Sequence, residues 1–147
     1  MFHSNLILLL TISTSTSRFL EQNFESAQLP SGTRDAVAAI GVYWPAHPEH
    51  NISRPLPLFD KQSNIRAELQ AAITALHQAK SLGIECLTIC TDSHFVIQCA
   101  NEWMRKWKRN GWLTSAGHEV KNKADLIELD QAVDALDKVI WIHVPGH

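Results

Sequence analysis

A helical stripe followed by a short apolar strand constrains the fold of this chain more than any other feature. Apolar residues recur at helical spacing at Ile65, Leu69, Ala72, Ile73 and Leu76. Gly83 then stops the helix, and residues 85–91 (ECLTICT) form a short run typical of a buried strand. A helix that packs one face on a sheet and leads into a buried strand indicates an α/β layer architecture.

The flanking segments continue this alternation of strands and helices. The predicted elements are a strand at 36–44, an edge or broken strand at 51–58, a helix opened by Asp92 and Ser93, a helix at 124–136 and a strand at 139–144. Prolines at positions 55 and 57 limit the second strand to a sheet edge. The order predicts a mixed sheet flanked by helices.

The N-terminal segment, residues 1–30, is set apart from the domain expected at 31–147. Leu6 to Ile12 is apolar and resembles the core of a secretory signal, but no Lys or Arg precedes it and no clear cleavage site follows. It is too short to span a membrane, and no membrane partner is expected. A signal peptide, a divergent first strand and a variant or aberrant start stay open as alternatives.

The cysteines and the length fit an ordinary globular domain. A chain of 147 residues suits one domain with a real core. Cys86, Cys90 and Cys99 are too few and too odd in number for a disulfide framework, and nothing has the ligand spacing of a zinc site. We therefore expect a reducing compartment.

Positive charge is concentrated between Trp103 and Lys123. This segment holds six basic residues and one acid, Glu119, in a chain whose net charge is −2. The basic residues are Arg105, Lys106, Lys108, Arg109, Lys121 and Lys123. Such asymmetry is typical of a polyanion-binding face, and a solvated loop is the alternative. Trp103 and Trp107 share one helix face, where they would either contact a nucleic acid or pack in the core.

Two carboxylates lie where a structural role alone explains them poorly. Glu68 shares the apolar face of its helix, where a lone carboxylate is costly, unless it lies at the edge or pairs with Arg66. Asp92 follows a buried strand directly, at the sheet edge where ligands gather, although an ordinary helix cap is the alternative. Together they could hold Mg²⁺, and paired ions of this kind promote phosphodiester cleavage.

The sequence resembles the type 1 ribonuclease H family, eukaryotic branch, over about residues 36–147. The segments that carry the resemblance are IGVYW (40–44), SNIRAEL (63–69), TDSHF (91–95), WMRKWKRNGWLTSAG (103–117), VKNKADL (120–126) and IWIHVPGH (140–147). The resemblance implies a ribonuclease H-like α/β fold, a mixed five-stranded sheet flanked by helices, with the C-terminal helix missing.

The resemblance also implies an activity and its setting. The family is a Mg²⁺-dependent endonuclease, with Mn²⁺ as a possible substitute, that hydrolyses the RNA strand of RNA–DNA hybrids. We therefore expect a monomer that binds such hybrids. The expected location is nuclear, cytoplasmic or mitochondrial, and secretion is the alternative if residues 1–30 hold a signal.

The family's site residues transfer onto this chain by matching motifs. Glu68 and Asp92 match two of the family's four metal-binding carboxylates. The residues that match nucleic-acid contacts are Asn64 for the RNA backbone, Ser63 and Asn122 for a DNA phosphate pocket, and Phe95, Trp103, Trp107 and Ser115 for the DNA channel. Lys108 lies in the basic protrusion, residues 105–112, and His147 matches a mobile-loop histidine thought to assist turnover.

The other two carboxylates do not match. The first belongs to a motif that here reads NFESAQLPSGTRD (23–35), where counting back from IGVYW without gaps places Glu25. The fourth lies beyond the PGH loop, past His147, and Ile65 replaces a polar residue that touches nucleic acid. An incomplete carboxylate set predicts weak Mg²⁺ affinity. The alternatives are an inactive module that binds RNA–DNA hybrids and an unrelated, secreted α/β protein.

Overall fold

The strands of the chain form one mixed sheet. The computed structural model describes residues 38–56 and 63–145, together with the backbone of 5–9 and 12–13. The strands are β1 (Asn5–Leu9), β2 (Ile12–Ser13), β3 (Ala38–Tyr43), β4 (Ile52–Pro55), β5 (Cys86–Thr91) and β6 (Lys138–His143). β3 pairs antiparallel with β1, β2 and β4, whereas β5 pairs parallel with β1 and β6.

β1 and β2 share one position in the sheet. Leu8 lies opposite Tyr43 and Ile12 lies opposite Ala39, so both strands meet β3 in the same register. The resulting order is β4, β3, β1 with β2, β5 and β6. This confirms the predicted mixed sheet with five strand positions. The first lies within residues 1–30, in agreement with a divergent first strand, and the boundary at residue 31 stays a prediction.

The helices follow the predicted stripes. They are α1 (Asn64–Ser81), α2 (His94–Gln98), α3 (Met104–Asn110) and α4 (Lys123–Asp134), with a π-helical turn at Cys99–Trp103 and a 3₁₀ turn at Pro48–His50. Gly111, at φ 78°, ends α3 in the left-handed conformation that glycine adopts readily. No helix among residues 38–56 and 63–145 is long and apolar enough to cross a membrane.

The core lies between α1 and the sheet. Leu69, Ile73 and Leu76 of α1 are buried, as are Leu87 and Ile89 of β5. Burial of each such side chain contributes about 1.5–3 kcal/mol. The small residues of α1, Ala67, Ala71, Ala72, Ala75 and Ala79, are also fully buried. Because alanine is small, neighbouring elements can pack close to the helix backbone at these positions.

The cysteines carry no disulfide. Cys86, Cys90 and Cys99 are free thiols, as the sequence predicted. Cys99 is fully buried, and this burial raises the pKa of its thiol to about 12. A neutral, buried thiol of this kind is a core residue rather than a nucleophile.

One face of β6 is open to solvent. Ile140 is 37% exposed and Ile142 is 44% exposed, and their partners across the sheet are Thr88 and Cys90 of β5. The two isoleucines therefore form an exposed apolar strip on β6.

A buried ionic network joins α1 to α4. Arg66 Nε lies 3.1 Å from Asp125 Oδ2, and Gln70 Nε2 donates to Asp125 Oδ1 at 2.6 Å. Asp125 is 8% exposed, so its charge depends on these partners. The network fixes the starts of the two helices relative to each other.

We expect Asp125→Ala to lower the free energy of unfolding by about 1–3 kcal/mol, because it removes the buried carboxylate that accepts hydrogen bonds from Arg66 and Gln70. Urea unfolding followed by circular dichroism measures the loss. Asp134→Ala, at an exposed position of the same helix, is the control and should change stability by less than about 0.5 kcal/mol. Equal effects of the two substitutions would show that the network stabilises nothing.

Candidate active site

Glu68 is held against the sheet by its neighbours on α1. Ala67 and Leu69 on either side are fully buried, and the Glu68 side chain is partly buried. Its Oε2 accepts a 2.6 Å hydrogen bond from Ser93 Oγ. Burial raises the pKa of the Glu68 carboxyl, the Asp92 charge raises it further, and the hydrogen bond from Ser93 offsets part of this rise. Arg66, which the sequence offered as a partner of Glu68, lies 3.1 Å from Asp125 Oδ2.

Asp92 directly follows Thr91, the last residue of β5. Its Oδ1 is buried and has no hydrogen-bond partner within the described chain. The alternative that Asp92 caps α2 is wrong, because Ser93 is the cap and its Oγ accepts from Val96 N–H at 3.2 Å. A buried carboxylate oxygen without a partner is costly, and a hard cation is the partner such an oxygen prefers.

The two carboxylates therefore fit part of a cation site. Ser93 follows Asp92 in sequence and binds Glu68, which brings both acids to the carboxyl end of β5. β1 lies beside this end, with Leu9 opposite Thr91, but neither β1 nor β2 contains an acidic residue. Among the described residues, no three metal-ligating side chains cluster. Glu25 and His147 lie outside those residues, so their roles stay predictions.

A histidine pair lies at the same edge of the sheet. The rings of His94 and His143 stack with centroids 3.8 Å apart and planes 15° from parallel. His143 ends β6 opposite Thr91 of the parallel β5, so this pair lies next to Asp92. Neither histidine stands out in the sequence, because the two lie 49 positions apart. The parallel pairing of β5 with β6 is the signal that could have found it.

An aromatic row extends from the carboxylates along α2 and α3. Phe95 and Trp103 lie 5.9 Å apart between ring centroids, Trp103 and Trp107 5.9 Å, and Trp107 and Trp112 6.2 Å. All four are partly buried and pack against the core. Core packing of Trp103 and Trp107 is therefore confirmed in part, and their contact with nucleic acid stays a prediction.

The basic residues beside this row differ in their partners. Lys108 Nζ lies 3.1 Å from Asp130 Oδ2 and 3.9 Å from Asp134 Oδ2 of α4. The hydrogen bond to Asp130 and its charge raise the pKa of Lys108. The Lys108 charge is thus partly neutralised within the protein, which weakens it as a phosphate contact. Arg105, Arg109 and Lys121 have no acid within ion-pair distance in the described chain.

Two predicted phosphate contacts lie at the starts of neighbouring helices. Ser63 caps α1 by accepting from Arg66 N–H at 3.1 Å, and Asn122 precedes α4 in a left-handed conformation without capping it. The Arg66–Asp125 network brings these helix starts together, and helix starts favour anions. Asn64 is exposed at the first turn of α1, and Ser115 is exposed in the loop after α3. Their contacts with nucleic acid stay predictions.

Known proteins resemble the chain in both sequence and fold. Human (Homo sapiens) Ribonuclease H1 is 47% identical over 118 residues, which is 80% of this chain and 40% of that protein. The chain therefore spans less than half the length of this relative. The solution structure of the PFV RNase H domain superposes with a TM-score of 0.71 at 18% identity, covering 100% of this chain and 82% of that one.

The chain also resembles a second solved structure and matches a protein family. The foamy viral protease-reverse transcriptase in complex with an RNA/DNA hybrid gives a TM-score of 0.68 at 17% identity, over 97% of this chain and 17% of that one. Residues 27–147 match the RNase H family. With most of its length matched and its sheet in the expected order, the chain belongs to the RNase H family.

Proposed function

We propose that this chain is a Mg²⁺-dependent endonuclease that hydrolyses the RNA strand of RNA–DNA hybrids. The observation that carries the proposal is the pairing of Glu68 and Asp92 through Ser93 beside an aromatic and basic surface. The sequence similarity of the chain to human Ribonuclease H1 supports the proposed nuclease activity. The structural neighbour that holds an RNA/DNA hybrid supports the substrate. We expect a monomer in the nucleus, cytoplasm or mitochondria.

The carboxylates would hold the cation. Asp92 offers its unpaired Oδ1, and Glu68 offers the oxygen that Ser93 does not occupy. When bound, Mg²⁺ or Mn²⁺ supplies positive charge for the phosphoryl oxygens and lowers the pKa of water. Ser93 keeps the Glu68 carboxylate turned toward Asp92, so its contribution is to position a ligand rather than to react.

The aromatic row and the unpaired cations would hold the hybrid. Arg105, Arg109 and Lys121 can neutralise phosphates because no described acid competes for them. The exposed edges of Trp103 and Trp107 offer surfaces for sugars of the DNA strand. Selectivity for a hybrid would come from 2′-hydroxyl contacts on the RNA strand and from the shape of the channel for DNA.

A hybrid-binding module without catalysis is the second candidate. It is favoured by the lack of an acidic residue in β1 and β2, which lie beside the end of β5. The binding surface is built from α2, α3 and α4 and does not depend on further carboxylates.

Asp92→Asn in the 147-residue chain tests the proposed cation site. We expect Mg²⁺-dependent cleavage of a labelled RNA–DNA hybrid by the original chain and a loss of about 100-fold or more in the variant, because a cation ligand is gone. Hybrid affinity should stay within about twofold, since the substitution keeps the shape and removes a negative charge. Asp137→Asn, an equal charge change at an exposed position before β6, is the control.

The outcomes separate the two candidates. Cleavage that disappears only in Asp92→Asn supports the nuclease. Hybrid binding without cleavage in any form supports the binding module. Undiminished cleavage by Asp92→Asn would contradict the proposed site.

Glu68→Gln should stabilise the protein at neutral pH in the absence of metal. The pKa of Glu68 is raised in the folded state, so its ionised form lowers stability above that pKa, and the penalty disappears as the pH falls through it. The stability difference between Glu68→Gln and the original chain should therefore shrink toward acid pH. Chemical unfolding at a series of pH values in a chelator measures it. A difference that is independent of pH would contradict the burial of this charge.

Arg109→Gln should weaken hybrid binding and make it less dependent on salt. If Arg109 contacts one phosphate, the slope of log affinity against log salt should fall in magnitude by about 1. Fluorescence anisotropy at several salt concentrations measures the slope. Lys138→Gln, on β6 away from the aromatic row, is the matched control and should leave the slope unchanged. Equal slopes for all three proteins would exclude Arg109 from the interface.

A further inference from the structure

A cleft lies toward the C-terminal end of α1, away from the candidate active site. It has a volume of about 320 Å³ and is lined by His50, Arg54, Thr74, His77, Gln78 and Ser81. α1 starts near the carboxylates and runs away from them, and His77 follows Glu68 by nine residues. At a rise of 1.5 Å per residue the cleft lies about 14 Å further along the helix. It is therefore separate from the candidate active site.

The lining of this cleft includes one cationic residue, Arg54, and Glu49 lies beside it, with its Oε1 3.7 Å from His50 Nε2. None of its residues is acidic, although the whole chain carries a net charge of −2. Arg54 makes only a long contact of 3.5 Å with Thr74 Oγ1 and has no carboxylate within ion-pair distance in the described chain. Its guanidinium therefore keeps most of its donors available. Such a fork matches the oxygens of a phosphate group better than any other side chain does.

Two further donors stand beside Arg54. His77 and Ser81 lie one turn apart on α1, and both side chains are exposed. The described chain gives neither side chain a hydrogen-bond partner. An imidazole offers at least one N–H donor in either protonation state, and a hydroxyl offers one O–H donor. These three residues present unmet donors to the same space, which is the arrangement that binds an anion.

The wall of the cleft is fixed by the core. Gln78 Nε2 donates to the carbonyl of His50 at 2.7 Å, and Gln78 Oε1 accepts from Trp44 Nε1 at 2.9 Å. Trp44 is 1% exposed, so this chain of hydrogen bonds anchors the His50 segment to the interior. Thr74 Oγ1 in turn donates to the carbonyl of Gln70 at 2.7 Å. The shape of the cleft is therefore part of the fold and not of a loose surface loop.

We propose that this cleft binds a phosphate monoester of mononucleotide size. The phosphate would lie against Arg54, His77 and Ser81. The cleft volume is at the lower end of the about 300–1,000 Å³ found for small-molecule sites, and it exceeds what a phosphate alone would fill. Leu82, which is 41% exposed, and the ring of His50 provide an apolar surface for the rest of the ligand. The proposal does not depend on the nuclease activity.

Calorimetric titration of the 147-residue chain tests the proposal. The probes are adenosine 5′-monophosphate, inorganic phosphate and adenosine, all in a chelator so that no metal at the carboxylates recruits phosphate. We expect the monophosphate to bind more tightly than either other probe. Arg54→Gln should weaken it by about tenfold or more, because a charged bidentate contact is lost. Arg54→Lys should weaken it less, since it keeps the charge without the fork.

Matched variants decide where the probe binds. Lys138→Gln removes the same charge at the opposite edge of the sheet, on β6, and should leave binding unchanged. Equal binding by Arg54→Gln and the original chain would overturn the proposal, as would equal affinity for adenosine and its monophosphate. Loss of binding in Arg109→Gln instead would assign the probe to the basic surface. Equal affinity for inorganic phosphate and for the monophosphate would contradict a ligand of mononucleotide size.

Discussion

The close packing of α1 on the sheet is the constraint on which the candidate site depends. Its buried alanines let the helix lie near β3 and β5, and this fixes the depth at which Glu68 stands. A carboxylate placed between Ala67 and Leu69 cannot turn fully to solvent, because both neighbours are buried. The raised pKa of Glu68 follows from the same packing that stabilises the core. The packing of α1 therefore affects both the stability of the core and the pKa of Glu68.

Ser93 links this helix to the sheet edge by using both functions of one hydroxyl. Its Oγ accepts from Val96 N–H and so begins α2, and it donates to Glu68 Oε2. Asp92 is left outside the cap with an unpaired Oδ1. Because Ser93 caps α2, the neighbouring Asp92 carboxylate is available for another partner. The same Ser93 hydroxyl holds the Glu68 carboxylate. The Ser93 hydroxyl therefore connects the end of β5 and the start of α2 to α1 at Glu68.

Local pattern predicted the elements and both carboxylates, but it could not predict long-range partners. The stripe from Ile65 to Leu76 and the strand at 85–91 have a clear period, and Glu68 stood out because it interrupts that stripe. The His94–His143 stack depends on strand register, and the Lys108–Asp130 pair depends on how α3 meets α4. The apolar run at 6–12 fits a signal, a divergent first strand or a variant start, and the pairing of residues 5–9 with β3 and β5 agrees with the strand.

The two carboxylates also connect cation binding to folding. A buried oxygen without a partner and a carboxyl with a raised pKa both lower the stability of the metal-free protein. A cation that binds only the folded state would remove these costs and stabilise the fold by mass action. The surface formed by the aromatic row depends instead on apolar packing, so it does not require a bound cation.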